Sequence, residues 1–213
     1  MSTTQSSSFL VRDQRERLLA VFADLVVERG LSDVSLKDLA AHAGVELDTV
    51  HSYFDTEEEC AFAATQAAAE QCFSAAAEAF MSTSGDCPMA ARAALEAMLR
   101  YFAGAPSLVH LVVVEHPRLG ERAQSMRHRY MATFEEFLVP GFAAAGQLPT
   151  DPKTLSLLIA GGIFDLLSRY YLDGRLEQLP DALPTVAYFT VAPFFGLKEA
   201  ARVASVRAPD VAR

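Results

Sequence analysis

Residues 35–54 read SLKDLAAHAGVELDTVHSYF, and this stretch decides the fold of the N-terminal part of the chain. Leucine and alanine recur at positions 36, 39, 40 and 43, which is the spacing of one buried helix face. Ser35 and Asp38 are placed to form a capping box at the start of that helix, with Asp instead of the more usual Glu. Gly44 follows the last apolar residue and can take the left-handed conformation that ends a helix sharply. The stretch therefore predicts two short helices joined by a tight turn.

The preceding segment supplies a third helix. Residues 12–30 carry apolar side chains at helical spacing, among them Leu18 and Phe22, and end at a glycine. In the second helix of the quoted stretch, Val50 and Phe54 form the side that should be buried. Three helices in this order can share one small core and present the last helix to a groove of DNA, as in a helix-turn-helix unit.

In this arrangement the chain resembles the TetR/AcrR family of transcriptional regulators. The resemblance is carried by RERLLAVFADLVVERG, VSLKDLAAHAGV and TVHSYFDTEEECAF, which occur in the family's order within residues 12–62. It implies an all-α fold, with an N-terminal three-helix helix-turn-helix head at residues 11–56 and a larger helical ligand-binding and dimerisation body at residues 57–213. The Ser/Thr-rich residues 1–10 are expected to form a disordered tail.

Composition agrees with a cytoplasmic protein. The chain has 213 residues, 51% of them hydrophobic, which is enough for a small head and a larger body with its own core. The three cysteines are odd in number and match no metal spacing, so a reducing compartment is expected. Residues 1–10 lack the features of a secretory signal. The most apolar segment, residues 155–167, contains Asp165 and is too short to cross a bilayer, so no membrane partner is expected.

The charge of the head opposes a simple DNA-binding interpretation. Residues 1–60 contain five basic and twelve acidic side chains, so they hold most of the net charge of −9. Phosphate contacts supply most non-specific DNA affinity, and a DNA-binding head is ordinarily basic. Part of the excess is structural, because Thr56 and Glu59 are spaced as a capping box, and Glu57 and Glu58 suit the positive end of the same helix.

The second helix departs from the family pattern at Glu46, Leu47 and Asp48, where the family usually has a small hydroxyl residue, a basic residue and a small residue. The carboxylates at 46 and 48 could accept from a cytosine amino group, and Leu47 could contact a thymine methyl group. The alternative for each position is a solvated helix face. The predicted DNA contacts, including an N-terminal arm and the first amides of the preceding helix, are Arg12, Ser35, Lys37, Glu46, Leu47, Thr49, His51, Ser52 and Tyr53.

The body is predicted to contain six helices, at residues 56–82, 88–103, 107–115, 119–145, 151–173 and 181–204, with a kink at Pro140. The resemblance implies that the long helix beginning near residue 56 and the helices after it enclose a small, mostly apolar effector. The alternative for each aromatic or Met side chain is ordinary core packing. The predicted effector contacts are Phe62, Gln66, Phe73, Met98, Tyr101, Phe102, His110, Met126, Tyr130 and Phe134.

The last two helices are expected to form a twofold homodimer interface. Gly161 and Gly162 would let another backbone approach, and the family pairs these helices with their copies in a four-helix bundle. A dimer with two recognition helices predicts a pseudo-palindromic double-stranded DNA operator, and the regulator is expected to be a repressor. The predicted interface residues are Leu158, Gly162, Asp165, Leu166, Arg169, Tyr170, Phe189, Pro193 and Phe194.

Catalysis is not expected from the sequence. The clustered histidine and carboxylate residues are Glu115, His116, Glu121 and His128. They match neither the Glu-x-x-His pairs of di-iron bundles nor the His-Glu-x-x-His of zinc proteases, and no phosphate loop or nucleophile elbow occurs. We therefore expect no cofactor and no metal. The rival to a DNA-binding regulator is a TetR-like dimeric module that binds a ligand or protein and has weakened or lost DNA binding.

Overall fold

The structure is a computed structural model that describes the backbone of residues 3–83, 85–145, 148 and 151–206. Side chains are described for the same residues except 3–12, 122, 123, 127, 131, 140 and 144. Over these residues the chain is helical and contains no β-strand, which confirms the predicted all-α class. The α-helices are α1 (Thr3–Arg29), α2 (Leu36–Ala43), α3 (Leu47–His51), α4 (Glu57–Ser82), α5 (Cys87–Ala103), α6 (Pro106–His110), α7 (Gly120–Ala145), α8 (Pro152–Leu172) and α9 (Leu183–Ala204).

The chain divides into two compact units. The head unit comprises Met1–Gln71 and Ala105–Ser125, and the body unit comprises Cys72–Gly104 and Met126–Arg213. Helix α4 contributes residues to both units, and residues 105–125 belong to the head unit although they follow part of the body unit in the chain. Leu111 explains this placement, since it is completely buried in the same core as α1 and α2.

The core of the head unit forms from the apolar faces predicted for its helices. Leu18 and Phe22 of α1, Leu39 of α2 and Val50 of α3 are completely buried and pack in one cluster. Phe54, which follows α3, is 3% exposed and packs in the same cluster. Full burial of such side chains stabilises the unit by about 1.5–3 kcal/mol each, so these residues fix the positions of α2 and α3.

Two segments differ from the helices expected from the sequence. Helix α1 begins at Thr3, so residues 3–10 are helical where the composition favoured a disordered tail. The single helix expected at residues 107–115 is divided into α6 and a π-helix, Leu111–Glu115, and a 3₁₀ turn, His116–Leu119, follows. Pro117 accounts for the change to the 3₁₀ turn because it has no amide hydrogen for a helical bond.

The C-terminal helices also differ in detail from their predicted bounds. A 3₁₀ segment, Leu176–Ala182, precedes α9, and α9 is interrupted at Gly196, where φ is +82° and ψ is 166°. Helix α8 has 21 residues and is long and apolar enough to span a membrane, unlike the shorter segment considered from sequence. One such helix is weak evidence for a membrane protein. Most of the apolar part of α8 is not buried within the described part of the chain.

Candidate DNA interface

The capping box predicted for α2 is confirmed. The Ser35 hydroxyl accepts from the Asp38 amide at 3.1 Å, and the Asp38 carboxylate accepts from the Ser35 amide at 3.1 Å. Arg29 at the end of α1 donates to the other carboxylate oxygen of Asp38 at 3.3 Å. The hydrogen bonds from Ser35, with the nearby guanidinium, lower the pKa of Asp38. These contacts fix the start of α2 against the end of α1.

The turn between α2 and α3 depends on Gly44. This residue has φ +68° and ψ +37°, the left-handed conformation expected from the sequence, and its amide bonds to the Ala40 carbonyl. Helix α3 is shorter than predicted and ends at His51, because residues 52–54 continue as a turn whose amides bond back to Asp48 and Val50. The turn still directs Val50 into the head core, so the orientation of α3 is set by packing.

The outer face of α3 carries polar side chains. Glu46, Asp48, His51 and Ser52 are exposed, and the first of them caps α3 without a side-chain hydrogen bond. Leu47 and Thr49 are half-buried, and Leu47 packs against the head core. The Ser52 hydroxyl donates to the Thr49 carbonyl at 2.6 Å, which leaves its oxygen as an acceptor. The face therefore presents carboxylates at its start and histidine and hydroxyl groups at its end.

Side chains of α1 support the turn that follows α3. The Tyr53 hydroxyl donates to the Gln14 side chain at 3.4 Å, and Tyr53 is half-buried. The Arg15 guanidinium lies 5.6 Å from the centre of the Phe54 ring, a cation–π distance. Arg15 thus stabilises the head instead of extending as an arm. The side chain of Arg12, the predicted arm contact, lies outside the described residues.

The amino end of α2 has fewer free amides than the sequence implied. Its first amide, that of Leu36, donates to the Glu57 carboxylate of α4 at 3.1 Å. The amide of Asp38 is taken by Ser35. Both amides are thus hydrogen-bonded within the head. The side chain of Lys37 is exposed and is the cation at this end of α2 that could contact a phosphate. The bond to Glu57 joins residues 21 positions apart and had no signal in the sequence.

The start of α4 follows its predicted cap with one change. The Thr56 hydroxyl accepts from the Glu59 amide at 3.2 Å, as expected. The Glu59 carboxylate accepts from the Asp55 amide at 3.0 Å, one residue earlier than a capping box requires. The Glu59 carboxylate therefore joins the first turn of α4 to the preceding residue Asp55 by a hydrogen bond.

A buried polar pair in the head was missed by sequence reasoning. His116 is 6% exposed, and its Nε2 lies 3.1 Å from the Thr65 hydroxyl of α4. That hydroxyl donates its one hydrogen to the Ala61 carbonyl at 2.9 Å, so Nε2 must be the protonated nitrogen and the donor. Burial lowers the pKa of His116, and the Phe62 ring packs 5.4 Å from the imidazole centre. The pair holds the 3₁₀ turn to α4.

The predicted effector residues fall in both units. Phe62, Gln66 and His110 belong to the head unit, where Gln66 is exposed and donates to Glu70. The remaining seven belong to the body unit, and five of them pack in or against one body core: Phe73, Met98, Tyr101, Phe102 and Phe134. Burial raises the pKa of Tyr101 to about 12, so its hydroxyl stays neutral.

The predicted dimer residues are mostly at the surface of the body unit. Leu158 is 61% exposed and Phe189 is 52% exposed, both large fractions for apolar side chains. Leu166 and Tyr170 are half-buried, whereas Phe194 is buried in the core of its own chain. The other exposed members are Gly162, Asp165, Arg169 and Pro193.

Solved structures of transcriptional regulators share this fold. The fatty acid degradation regulator FadR from Bacillus halodurans matches with a TM-score of 0.74 and 13% identity, over 86% of this chain and 97% of that one. FadR from Bacillus subtilis, solved in complex with stearoyl-CoA, matches with a TM-score of 0.71 and 15% identity, over 83% and 97%. A TetR/AcrR-family regulator from Thermobifida fusca matches with a TM-score of 0.52 and 20% identity, over 80% and 96%. No family model and no curated protein matches the sequence. The chain therefore has the fold of the TetR/AcrR regulators.

Proposed function

We propose that the chain is a cytoplasmic, non-enzymatic transcriptional repressor that binds a pseudo-palindromic operator as a homodimer and responds to a small effector. The observation that carries this proposal is the helix-turn-helix geometry of the head. Gly44 and the buried Val50 hold α3 so that its polar face, including Asp48 and His51, is exposed. An exposed, rigidly held second helix is what a helix-turn-helix unit needs to enter a major groove.

The DNA contacts we propose combine base reading with a small number of phosphate contacts. Glu46 and Asp48 supply acceptors for a cytosine amino group, and Thr49 and His51 supply further polar contacts to bases or phosphates. Lys37 supplies the exposed cation at the start of α2. Because the head offers few cations to phosphates, its affinity should depend on salt with a shallow slope.

The homodimer rests on the apolar surface of α8 and α9. Leu157 and Leu158 of α8 and Phe189 and Leu197 of α9 are each more than half exposed, although they are large apolar side chains. A side chain added at Gly161 would meet no heavy atom within 4 Å, so the backbone of α8 is open to close approach there. A second copy of the same two helices would cover these side chains, and it also accounts for the apolar character of α8 without a membrane.

The effector is proposed to be mostly apolar and to bind in the body unit. The core of that unit is rich in aromatic side chains, and Phe73 stacks on Phe137 with ring centres 5.4 Å apart. Such a core can hold an apolar molecule oriented by a few polar groups. The stearoyl-CoA in the B. subtilis FadR structure joins a long apolar acyl chain to a charged coenzyme A group, and its binding by a protein of the same fold supports an effector with an apolar part.

A second candidate function is favoured by the acids of the head. Glu57 and Ser35 occupy the amides of α2 that would otherwise face a phosphate, so a dimer with weakened DNA binding that acts through a ligand or protein partner is the alternative. The first function requires the purified dimer to bind a specific DNA site, and the second requires it to bind a ligand or protein with little affinity for DNA.

Selection of bound sequences from genomic DNA, followed by fluorescence anisotropy at several salt concentrations, tests the proposal. We expect a pseudo-palindromic site and an affinity that falls linearly in the logarithm of salt. Lys37→Gln should reduce the slope by about one. Lys198→Gln changes an exposed cation of the body and is the matched control, with no change of slope expected. Failure to select any site at low salt would overturn DNA binding and favour the alternative.

A further inference from the structure

Residues 106–119 pack on two helices of the head unit. Near the start of this segment, the Ser107 hydroxyl donates to the Asp24 carboxylate of α1 at 2.6 Å. Near its end, His116 lies 3.1 Å from the Thr65 hydroxyl of α4. Between these contacts, Leu111 is completely buried in the head core. The segment therefore joins α1 to α4, and His116 supplies a hydrogen bond to α4.

The site around His116 suits an uncharged imidazole. Nε2 donates to Thr65 in the neutral ring, so a proton taken up by the ring would go to Nδ1 and give it a full positive charge. His116 is only 6% exposed, so the charged ring would lose most of its hydration. The Phe62 ring beside it, at 5.4 Å and tilted by 60°, does not replace that hydration.

No described carboxylate compensates for a charge on His116. Its described neighbours on α4, Thr65 and Phe62, are uncharged. The preceding residue, Glu115, already accepts from Arg118 at 3.1 and 3.2 Å and lies 3.5 Å from Nε2 of His110. Burial lowers the pKa of His116, and no described charge counteracts it.

The acids of the two helices that the segment joins have other partners or face solvent. On α1, Asp24 is bonded to Ser107. On α4, three carboxylates accept hydrogen bonds elsewhere and one is exposed: Glu57 from the Leu36 amide, Glu59 from the Asp55 amide, Glu70 from the Gln66 side chain, and Glu58 at the surface. A protonated His116 would thus gain more by reaching water than by staying buried.

We propose that the contact between His116 and Thr65 is a proton-operated latch, in which protonation of the imidazole releases the turn His116–Leu119 from α4. Acid has the opposite effect on the neighbouring histidine, because a protonated His110 would form an ion pair with Glu115, 3.5 Å away. The π-helix therefore keeps its own contact while the turn after it opens. The latch goes beyond the proposed regulator and does not depend on it, since it acts within the head whether or not DNA is bound.

Hydrogen exchange of the full-length protein tests the latch at about pH 7.5 and about pH 5.5, on either side of the ordinary histidine pKa of 6.5. The results are compared as protection factors, which remove the intrinsic effect of pH on exchange. Protection of residues 111–119 should fall by up to about 10-fold at the lower pH, because opening takes up one proton. Residues 39–45 should keep their protection, which would show that the opening is local.

Variants at both ends of the hydrogen bond separate titration from packing. His116→Gln keeps an N–H donor but cannot titrate, so protection should be the same at both pH values. His128→Gln removes an exposed histidine of α7 and is the matched control, with the pH dependence of the wild type. Thr65→Ser keeps the hydroxyl and should behave as wild type. Thr65→Val leaves a buried donor without its acceptor and should lower protection at the higher pH by about 5- to 150-fold.

Three results overturn the latch: equal protection of residues 111–119 at both pH values in the wild type, an equal fall in residues 39–45, or a fall that persists in His116→Gln. A Thr65→Val protein with wild-type protection would also overturn it. DNA selection on the same preparations tests the regulator separately. The expected exchange behaviour in a protein that selects no DNA supports the latch and removes the regulator, and the converse result removes only the latch.

Discussion

Replacing Gly44 with alanine should destabilise the head through backbone strain alone. Its φ of +68° and ψ of +37° lie in the left-handed region, which costs an L-residue with a Cβ about 1–2 kcal/mol. A Cβ at this position would meet no heavy atom within 4 Å, so no steric term adds to the strain. The stiffer unfolded chain of alanine offsets about 0.4–1 kcal/mol, which leaves a net loss of about 1 kcal/mol.

Urea unfolding followed by far-UV circular dichroism measures the decrease in the free energy of unfolding, and hydrogen exchange should locate the destabilised region in residues 36–54. Gly44→Asn should lower the free energy of unfolding less than Gly44→Ala does, because asparagine tolerates the left-handed conformation. Gly104→Ala is the matched control, since Gly104 has φ −87° and alanine adopts that conformation without strain. Equal decreases in the free energy of unfolding for the alanine and asparagine variants at position 44 would refute the explanation by left-handed backbone strain.

Three further outcomes follow from buried groups. Phe22→Ala should lower the free energy of unfolding by about 3–5 kcal/mol, because Phe22 is completely buried in the head core; denaturant titration checks this. Burial holds the pKa of His116 below its usual 6.5, so its contribution to stability should be complete above pH 6.5 and decline as pH falls toward the lowered value. His116→Gln should make the free energy of unfolding depend less on pH below pH 6.5. With a thiol reagent, the half-buried Cys87 should react before Cys60 and Cys72, whose pKa values burial raises further; peptide mass spectrometry reports the order.

The features that were predictable from sequence are local ones. The Ser35–Asp38 capping box and the left-handed Gly44 each depend on residues a few positions apart, and both are present. The apolar spacing that predicted burial of Phe22 and Val50 is likewise a property of a single helix. Local hydrogen bonding and helical periodicity therefore account for most of the head.

The features that were not predictable depend on contacts distant in the chain. Glu57 reaches the first amide of α2 across 21 positions, and Thr65 meets His116 across 51. Proline is the usual sign of an interrupted helix, yet α9 is interrupted at Gly196 and contains Pro193 within it.

The hydrogen bond between Glu57 and the Leu36 amide makes the carboxylate an internal stand-in for a nucleic-acid anion. Rotation of that one side chain would release the amide without moving any helix. A side chain at position 57 that cannot accept this hydrogen bond would leave the first amide of α2 without its partner in the head.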